Sequence, residues 1–508
     1  MGAGLLHHGL ERAADRFGAR DALLAGEDRW TFGELERRTN ATARHLASRG
    51  VSPGGRVVVM TANRPEFVVA VNAVSKLGAA AVLVNPAWKA LEVRHALELT
   101  DPLHAVADGP ATDVLREQLG DAAVSDVDDP SFAASVSAQS TRRPAEAGAD
   151  PDRDALFVFS SGTTGLPKAV RHTHRSFGFA TTHWVAALGL GPDDRFQVAT
   201  PPSHILGLLN LATAIAAGAS VRLHRRFDLE EVLHRIQAER MTLEMAVAPI
   251  ALAMANHPRL ESYDLSSLRY IMWGATPVTA SVAEVVTQRT GVRWLPAYGA
   301  SELPVIAANP VGDPAAWRLD SAGLPAPGVE LRVCDLDTGE VLAPGEVGDM
   351  QALSPSVMAG YVPEEANAAA FVDGWYRTGD VGWLEPEGWV HLTDRSKEMI
   401  KVNGFQVAPA ELEAVLHGHP GVVDCAVFGV ADQRAGEVPV AAVELDATHP
   451  ASAGELMDLV AGALASYKRL HRVVVVDTIP RLPSGKVLRR QLREEWEPQI
   501  VATAGRGA

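Results

Sequence analysis

Ser160-Ser161-Gly162-Thr163-Thr164-Gly165-Leu166-Pro167-Lys168 decides the reading of this chain: hydroxyls, glycines and one lysine are packed together just after the apolar run Ala155 to Phe159. Glycine lets the backbone turn its amides toward an anion, the hydroxyls add donors, and the lysine adds a point charge. The stretch reads as a phosphate cradle. It differs from the P-loop, in which four residues separate Gly from Gly-Lys-Ser/Thr, because Lys168 follows Gly165 by three and Ala169 comes next. A Ser/Gly-rich surface turn is the plain alternative.

Lysine usage points the same way. The lysines are Lys76, Lys89, Lys168, Lys397, Lys401, Lys468 and Lys486, and every other basic residue is arginine or histidine. In so arginine-biased a chain, a lysine marks a place where a compact ammonium is not replaceable by a planar guanidinium. Lys168 lies in the cradle, Lys397 and Lys401 in one loop, and Lys486 in the glycine turn Pro483-Ser484-Gly485-Lys486.

At 508 residues the chain exceeds one ordinary core, and two to four domains or subdomains are expected. A hydrophobic fraction of 47% is that of a globular protein, and a net charge of −16 disfavours nucleic acid or an anionic membrane as partner. Local cationic sites must then hold any nucleotide. Cys334 and Cys425 form no CxxC or Cys/His cluster, which fits a reducing cytoplasm and argues against structural zinc. No basic leader followed by an apolar core opens the sequence, so no signal peptide is expected. The longest apolar run, Ile205 to Val221, is interrupted by Gly207, Asn210, Thr213 and Gly218 and reads as a buried helix rather than a membrane span. The expected location is the cytoplasm.

Strand-like and helix-like segments alternate through the first half: a strand at Arg56 to Thr61, a helix at Pro65 to Leu77, a strand at Ala80 to Val84. This alternation predicts α/β layers with parallel sheets. The Ala-, Asp-, Ser- and Pro-rich region from Asp108 to Asp154 is expected to run on the surface. Further strands are expected at Phe157, Phe196 to Ala199, Val221 to Leu223, Leu243 to Val247 and Tyr270 to Trp273. After Pro344, frequent glycine turns suggest a β-rich subdomain. A last break near Asp394-Arg395-Ser396-Lys397 divides residues 1–394, a large N-terminal domain of layered α/β sheets plus that subdomain, from residues 395–508, a small mobile α/β domain.

Several motifs then fall in order: Trp273-Gly274-Ala275-Thr276-Pro277, Tyr298-Gly299-Ala300-Ser301-Glu302, Tyr376-Arg377-Thr378-Gly379-Asp380, Asp394-Arg395-Ser396-Lys397-Glu398, Lys401-Val402-Asn403-Gly404-Phe405-Gln406 and Pro483-Ser484-Gly485-Lys486. In this order and spacing the chain resembles the adenylate-forming superfamily of acyl-CoA synthetases, peptide-synthetase adenylation domains and luciferases. The stretch Gly404 to Glu413 is similar to the acyl- and aryl-CoA ligase branch of 4-coumarate–CoA ligase. The resemblance implies a two-step reaction: a carboxylate and ATP give acyl-AMP and pyrophosphate, and coenzyme A then displaces AMP.

Site roles follow from that resemblance. Ser160, Ser161, Gly162, Thr163, Thr164, Gly165 and Lys168 are expected to hold phosphates. Gly274, Ala275, Thr276, Pro277, Ala297, Tyr298, Gly299 and Ser301 are expected around the adenine, and Asp380 with Arg395 at the ribose. Glu302 is the expected Mg²⁺ ligand, its hard oxygen suiting that ion. Lys486 is expected to neutralise charge developing between the carboxylate and the α-phosphate. Lys397 matches a hinge about which the small domain rotates, bringing Lys401, Gly404, Phe405 and Gln406 in to line the path of the coenzyme A arm. His204, Trp273, Gly274, Ala297, Gly299, Pro304 and Val305 are expected to line the acyl pocket, with Ala297 and Gly299 leaving room for a ring system. Their apolar character favours an aryl, polycyclic or fatty acid, and Ser203 to Gly207 lacks the aspartate with which relatives bind a free amino acid.

Three positions depart from the family pattern: Ser301 before the glutamate, Trp273 before the adenine turn, and Ala352-Leu353-Ser354-Pro355. They leave open an enzyme that forms the thioester from acyl-AMP supplied by a partner ligase. A nucleotide-binding protein without catalysis is the alternative from another class. A monomer or homodimer is expected, with the acid and coenzyme A as small-molecule partners.

Overall fold

The computed structural model describes residues 4–146, 150–160, 167–246, 248–255, 257–274, 280–335, 338–395, 400–407, 409–432, 434–445, 451–480 and 489–504. The chain is a mixed α/β protein with a large N-terminal and a smaller C-terminal domain. Two large sheets organise the first. In one, Arg56–Met60 pairs in parallel with Ala80–Leu83 and His104–Ala107, and Asp154–Ser160 joins Ala80–Leu83 in parallel. Lys168–Thr173 then turns back antiparallel on Asp154–Ser160, with Ser160 opposite Lys168. The two ends of the stretch expected to cradle phosphate are therefore neighbours across a ladder.

The second sheet carries Arg195–Val198, Ser220–Leu223, Leu243–Ala246, Tyr270–Trp273 and Trp294–Tyr298. Between the sheets lies the helix Pro65–Lys76, in which every residue except Glu66 is buried. A helix apolar on all sides belongs in such a layer, since each face meets another element. Its Lys76 is satisfied by Glu11 and, at 3.1 Å, Glu36. The apolar run begun at Ile205 forms the buried helix Ile205–Ala217, closed by Gly218 in the left-handed region. Among the described residues, no helix is long and apolar enough to cross a membrane.

The region Asp108 to Asp154 does run largely on the surface, and it is built from short ordered elements. It contains the helices Pro110–Leu119 and Pro130–Ser137 and the strand Val124–Asp126, which extends the first sheet in parallel beside His104–Ala107. Ala111, Leu115 and Val124 supply its apolar contacts, so a few small hydrophobes suffice to dock an otherwise polar segment.

A third sheet joins Glu330–Cys334, Gly348–Leu353, Trp375–Leu384 and Val390–Arg395. In the C-terminal domain Gly436–Leu445 pairs with Val422–Asp432 and Arg472–Val475, while Pro409–His417 and Ala453–Ala463 supply helices. The hairpin Ile400–Val402 and Phe405–Val407 turns on Asn403 and Gly404, whose φ values of 52° and 82° are those of a tight two-residue turn.

Candidate active site

Tyr298, Ser301, Glu302, Tyr361 and Asp380 converge at the meeting point of the three N-terminal sheets. Tyr298 ends its strand and donates its hydroxyl to Asp380 Oδ2 at 2.5 Å. Asp380 is placed by a bulge: Asp349 opposes Val381 while Gln351 opposes Arg377, so the partner strand loops out around Gly379 at φ 73°. Such a bulge re-aims a side chain. The Asp380 amide donates to Thr378 Oγ1 at 3.1 Å, and that hydroxyl donates to the Met350 carbonyl at 2.9 Å. Arg395 lies directly across the ladder from Asp380.

Glu302 is 8% exposed and accepts the Tyr361 hydroxyl on Oε1 at 2.8 Å. Tyr361 sits on Gly360–Val362, paired antiparallel with the strand that begins at Lys168, and the Lys168 ammonium lies 5.2 Å from its ring centroid. One tyrosine thus connects the cradle lysine to the buried carboxylate. Beside them the buried Tyr376 phenol is pushed well above its ordinary pKa, first by burial and then by the charges of Glu302 and neighbouring groups. It stays a neutral hydroxyl.

His172, which sequence reasoning passed over, supports this loop from below. It is fully buried, lies four residues after Lys168, and contacts the Ser301 carbonyl through Nε2 at 2.8 Å and Ser176 Oγ through Nδ1 at 3.2 Å. A carbonyl only accepts, so Nε2 carries the proton. Burial holds its pKa down to about 4, so the ring is neutral at pH 7. The sequence signal was a polar ring at an inward position of a strand.

Gly299 has a different reason from the one expected. A Cβ there would lie 2.2 Å from the Pro304 carbonyl oxygen, so the space freed by the missing side chain is filled by backbone and does not widen a pocket. Trp273 also departs from expectation. Along its strand Tyr270 and Met272 join the central core, whereas Ile271 and Trp273 face the opposite cluster, where Trp273 meets Trp294 at 5.0 Å. Trp273 is 1% and Val305 0% exposed, so neither presents surface to a cavity, and Pro304 is buried as well. His204, Ala297 and Gly299 keep part of their surface, whereas Gly274, the residue after the strand, is buried like Trp273. His204 caps the helix Ile205–Ala217, its Nδ1 accepting from the Leu206 amide at 3.3 Å, and its surroundings lower its pKa to about 4.

The C-terminal hairpin comes to the cradle. Phe405 stacks on Tyr467 at 4.2 Å, the Tyr467 hydroxyl accepts from the Trp88 indole N–H at 3.3 Å, and Trp88 packs edge-on against Phe159 at 5.2 Å. Phe159 directly precedes Ser160. Lys401 is held through its backbone amide, which donates to Glu437 at 2.8 Å. For Gln406 only the strand is described. Ser161 to Gly165, Ala275, Thr276, Pro277, Lys397 and Lys486 lie outside the described residues.

Comparison with known proteins defines the class. The model of the AMP-binding enzyme family matches residues 10–362, and that of the AMP-binding enzyme C-terminal domain matches residues 411–486. The chain belongs to the AMP-binding enzyme family and is an ATP-dependent, AMP-forming ligase. Within that family it stands with the branch similar to 4-coumarate–CoA ligase. It is 36% identical to 4-coumarate--CoA ligase-like 9 of Oryza sativa subsp. japonica, over 98% of this chain and 93% of that one. Amide bond synthetase McbA of Marinactinospora thermotolerans superposes with a TM-score of 0.87 at 31% identity, covering 96% of this chain and 99% of that one. o-Succinylbenzoate CoA synthetase (MenE) of Bacillus subtilis, a double mutant bound with its product analogue OSB-NCoA, gives 0.85 at 32% identity, covering 96% and 98%.

Proposed function

We propose that this chain activates a hydrophobic aryl, polycyclic or fatty carboxylic acid as its acyl-adenylate and transfers the acyl group to coenzyme A. The observation that carries the proposal is the docking of the Asn403–Gly404 hairpin, through Phe405, Tyr467 and Trp88, onto the strand that opens the phosphate cradle. A pure nucleotide sensor has no use for a second domain brought to that point.

In the first step a carboxylate oxygen attacks the α-phosphorus of ATP, forming the acyl-phosphate bond as the bond to pyrophosphate breaks. The cradle with Lys168 holds the phosphates, and Lys486 offsets charge between the reacting groups. Asp380 takes the ribose hydroxyls, with Tyr298 fixing its carboxylate. Glu302 suits Mg²⁺: it offers a hard oxygen, nearly buried and oriented by Tyr361. When bound, the ion would offset phosphate charge. In the second step the coenzyme A sulfur attacks the acyl carbon. The C–S bond forms, the C–O bond to AMP breaks, AMP leaves with the electron pair, and the thiol proton passes to solvent. The small domain, turning about Lys397, presents Lys486 for the first step and the Lys401–Gln406 hairpin for the second.

The acyl chain would lie against His204, Ala297 and Gly299. The neutral imidazole of His204 is its polar anchor, so an uncharged or weakly polar ring suits the site better than a second carboxylate. Replacing Lys486 by alanine tests the division of labour. Pyrophosphate release should fall at least about 100-fold, while thioester formation from synthetic acyl-AMP stays within a few-fold. Equal loss in both steps would contradict the assignment.

A further inference from the structure

Lys468 is 2% exposed, and its ammonium lies 2.9 Å from Glu92 Oε1 and 2.8 Å from Glu411 Oε1. Glu92 is 0% and Glu411 1% exposed. Glu411 and Lys468 belong to the C-terminal domain, whereas Glu92 stands on the N-terminal helix Ala90–Thr100. Two carboxylates and one ammonium are therefore sealed between domains. The same helix touches the cradle: His95, one turn on from Glu92, contacts the Pro167 carbonyl through Nε2 at 2.9 Å. Lys89, just before it, reaches across to the Ala461 carbonyl.

We infer that Glu92, Lys468 and Glu411 form an electrostatic latch that positions the Asn403–Gly404 hairpin for thioester formation and opens for adenylation. This rests on the two-step reading above. A buried ion triad suits a contact that must open in every cycle. Its Coulombic gain is largely offset by desolvation, so closing costs or yields little net free energy, yet a mismatched charge is rejected strongly. The triad carries one surplus negative charge, and Glu411 Oε2 has no hydrogen-bond partner, which keeps the closed state from becoming permanent. Opening parts Glu92 from the Lys468–Glu411 pair, which stays together on the C-terminal domain, so exchange of the Glu92 charge burdens docking rather than folding. The aromatic series Phe405, Tyr467, Trp88 and Phe159 then sets the distance at which the hairpin rests.

The test is a charge exchange. Glu92→Lys alone sets two ammonium groups against one carboxylate, and Lys468→Glu alone gathers three carboxylates. The double variant rebuilds two carboxylates around one ammonium contributed by the other domain. Each single variant should lower thioester formation from synthetic acyl-AMP and coenzyme A at least about tenfold, with ATP-driven pyrophosphate release within about twofold. The double variant should recover to within a few-fold of the parent. Equal loss of both steps in the single variants, or no recovery in the double, would overturn the latch. Small-angle scattering of the same four proteins without substrates reads docking independently of catalysis. The single variants should be more extended than the parent and the double variant alike to it. Unchanged scattering throughout would overturn the latch even if no acid is turned over, an outcome that would count separately against the proposed reaction.

Discussion

At the scale of single residues, the lysines are the most economical guide to this molecule. Lys76 meets the half-buried Glu11 and the buried Glu36, Lys89 a carbonyl of the other domain, Lys168 the Tyr361 face and Lys468 the latch, while Lys401 stands on the hairpin. Compact point charges were retained where a guanidinium fork has no room. No role for Lys76, Lys89 or Lys468 was legible in the sequence, because partners such as Glu36 and Glu92 are set by packing. Nor was His172 legible. Its role depends on a carbonyl 129 positions away, brought near only when the two sheets close. Replacing His172 by leucine leaves the Ser301 carbonyl buried without its donor, and should cost about 1–3 kcal/mol of loop order. Pyrophosphate release should fall about 10- to 100-fold, with thioester formation from acyl-AMP within a few-fold. Glutamine, whose amide N–H reaches a similar point, should restore most of the loss. A glutamine variant no better than leucine would show that His172 acts through bulk alone.

At the scale of elements, periodicity located strands and helices well because buried runs such as Arg56–Met60 and Leu243–Ala246 leave little choice. It failed where short elements gain order from neighbours, as in the strand Val124–Asp126, and it could not see the bulge that aims Asp380. It also could not decide which way a strand residue points: Trp273, at the end of its strand, faces the far cluster. One buried strand carries a pH-sensitive group. Glu244, 1% exposed, accepts from Gln197 Nε2 at 2.6 Å, and burial pushes its pKa up to about 8. An acid with a raised folded pKa binds more protons folded than unfolded between its ordinary value and about 8. Its contribution therefore falls as pH rises through that window and is lowest above it. Glu244→Gln, which keeps the acceptor for Gln197, should be nearly neutral near pH 5. Denaturant unfolding at about pH 8.5 should show it more stable than the parent by about 1–3 kcal/mol. A stability difference that does not change with pH would place the proton elsewhere.

For the whole molecule, the ordered series of motifs identified the family because no single local rule explains so many in register. The contacts Phe405–Tyr467–Trp88–Phe159, which bring the C-terminal hairpin to the strand ending at Ser160, are a relation that motif order alone does not contain. The docked hairpin, the Glu92–Lys468–Glu411 triad and the Tyr298–Asp380 pair are consequences of domain contact and sheet closure. They support one protein carrying out two steps at one centre. Pyrophosphate, acyl-AMP and thioester should therefore be followed separately, with ATP, Mg²⁺ and coenzyme A, across aryl, polycyclic and fatty acids and their synthetic adenylates. The account predicts that at least one free hydrophobic acid yields pyrophosphate and thioester in equal amounts from this chain alone. Thioester from the adenylates only, with no pyrophosphate from any free acid, would contradict it and assign the first step to a partner ligase.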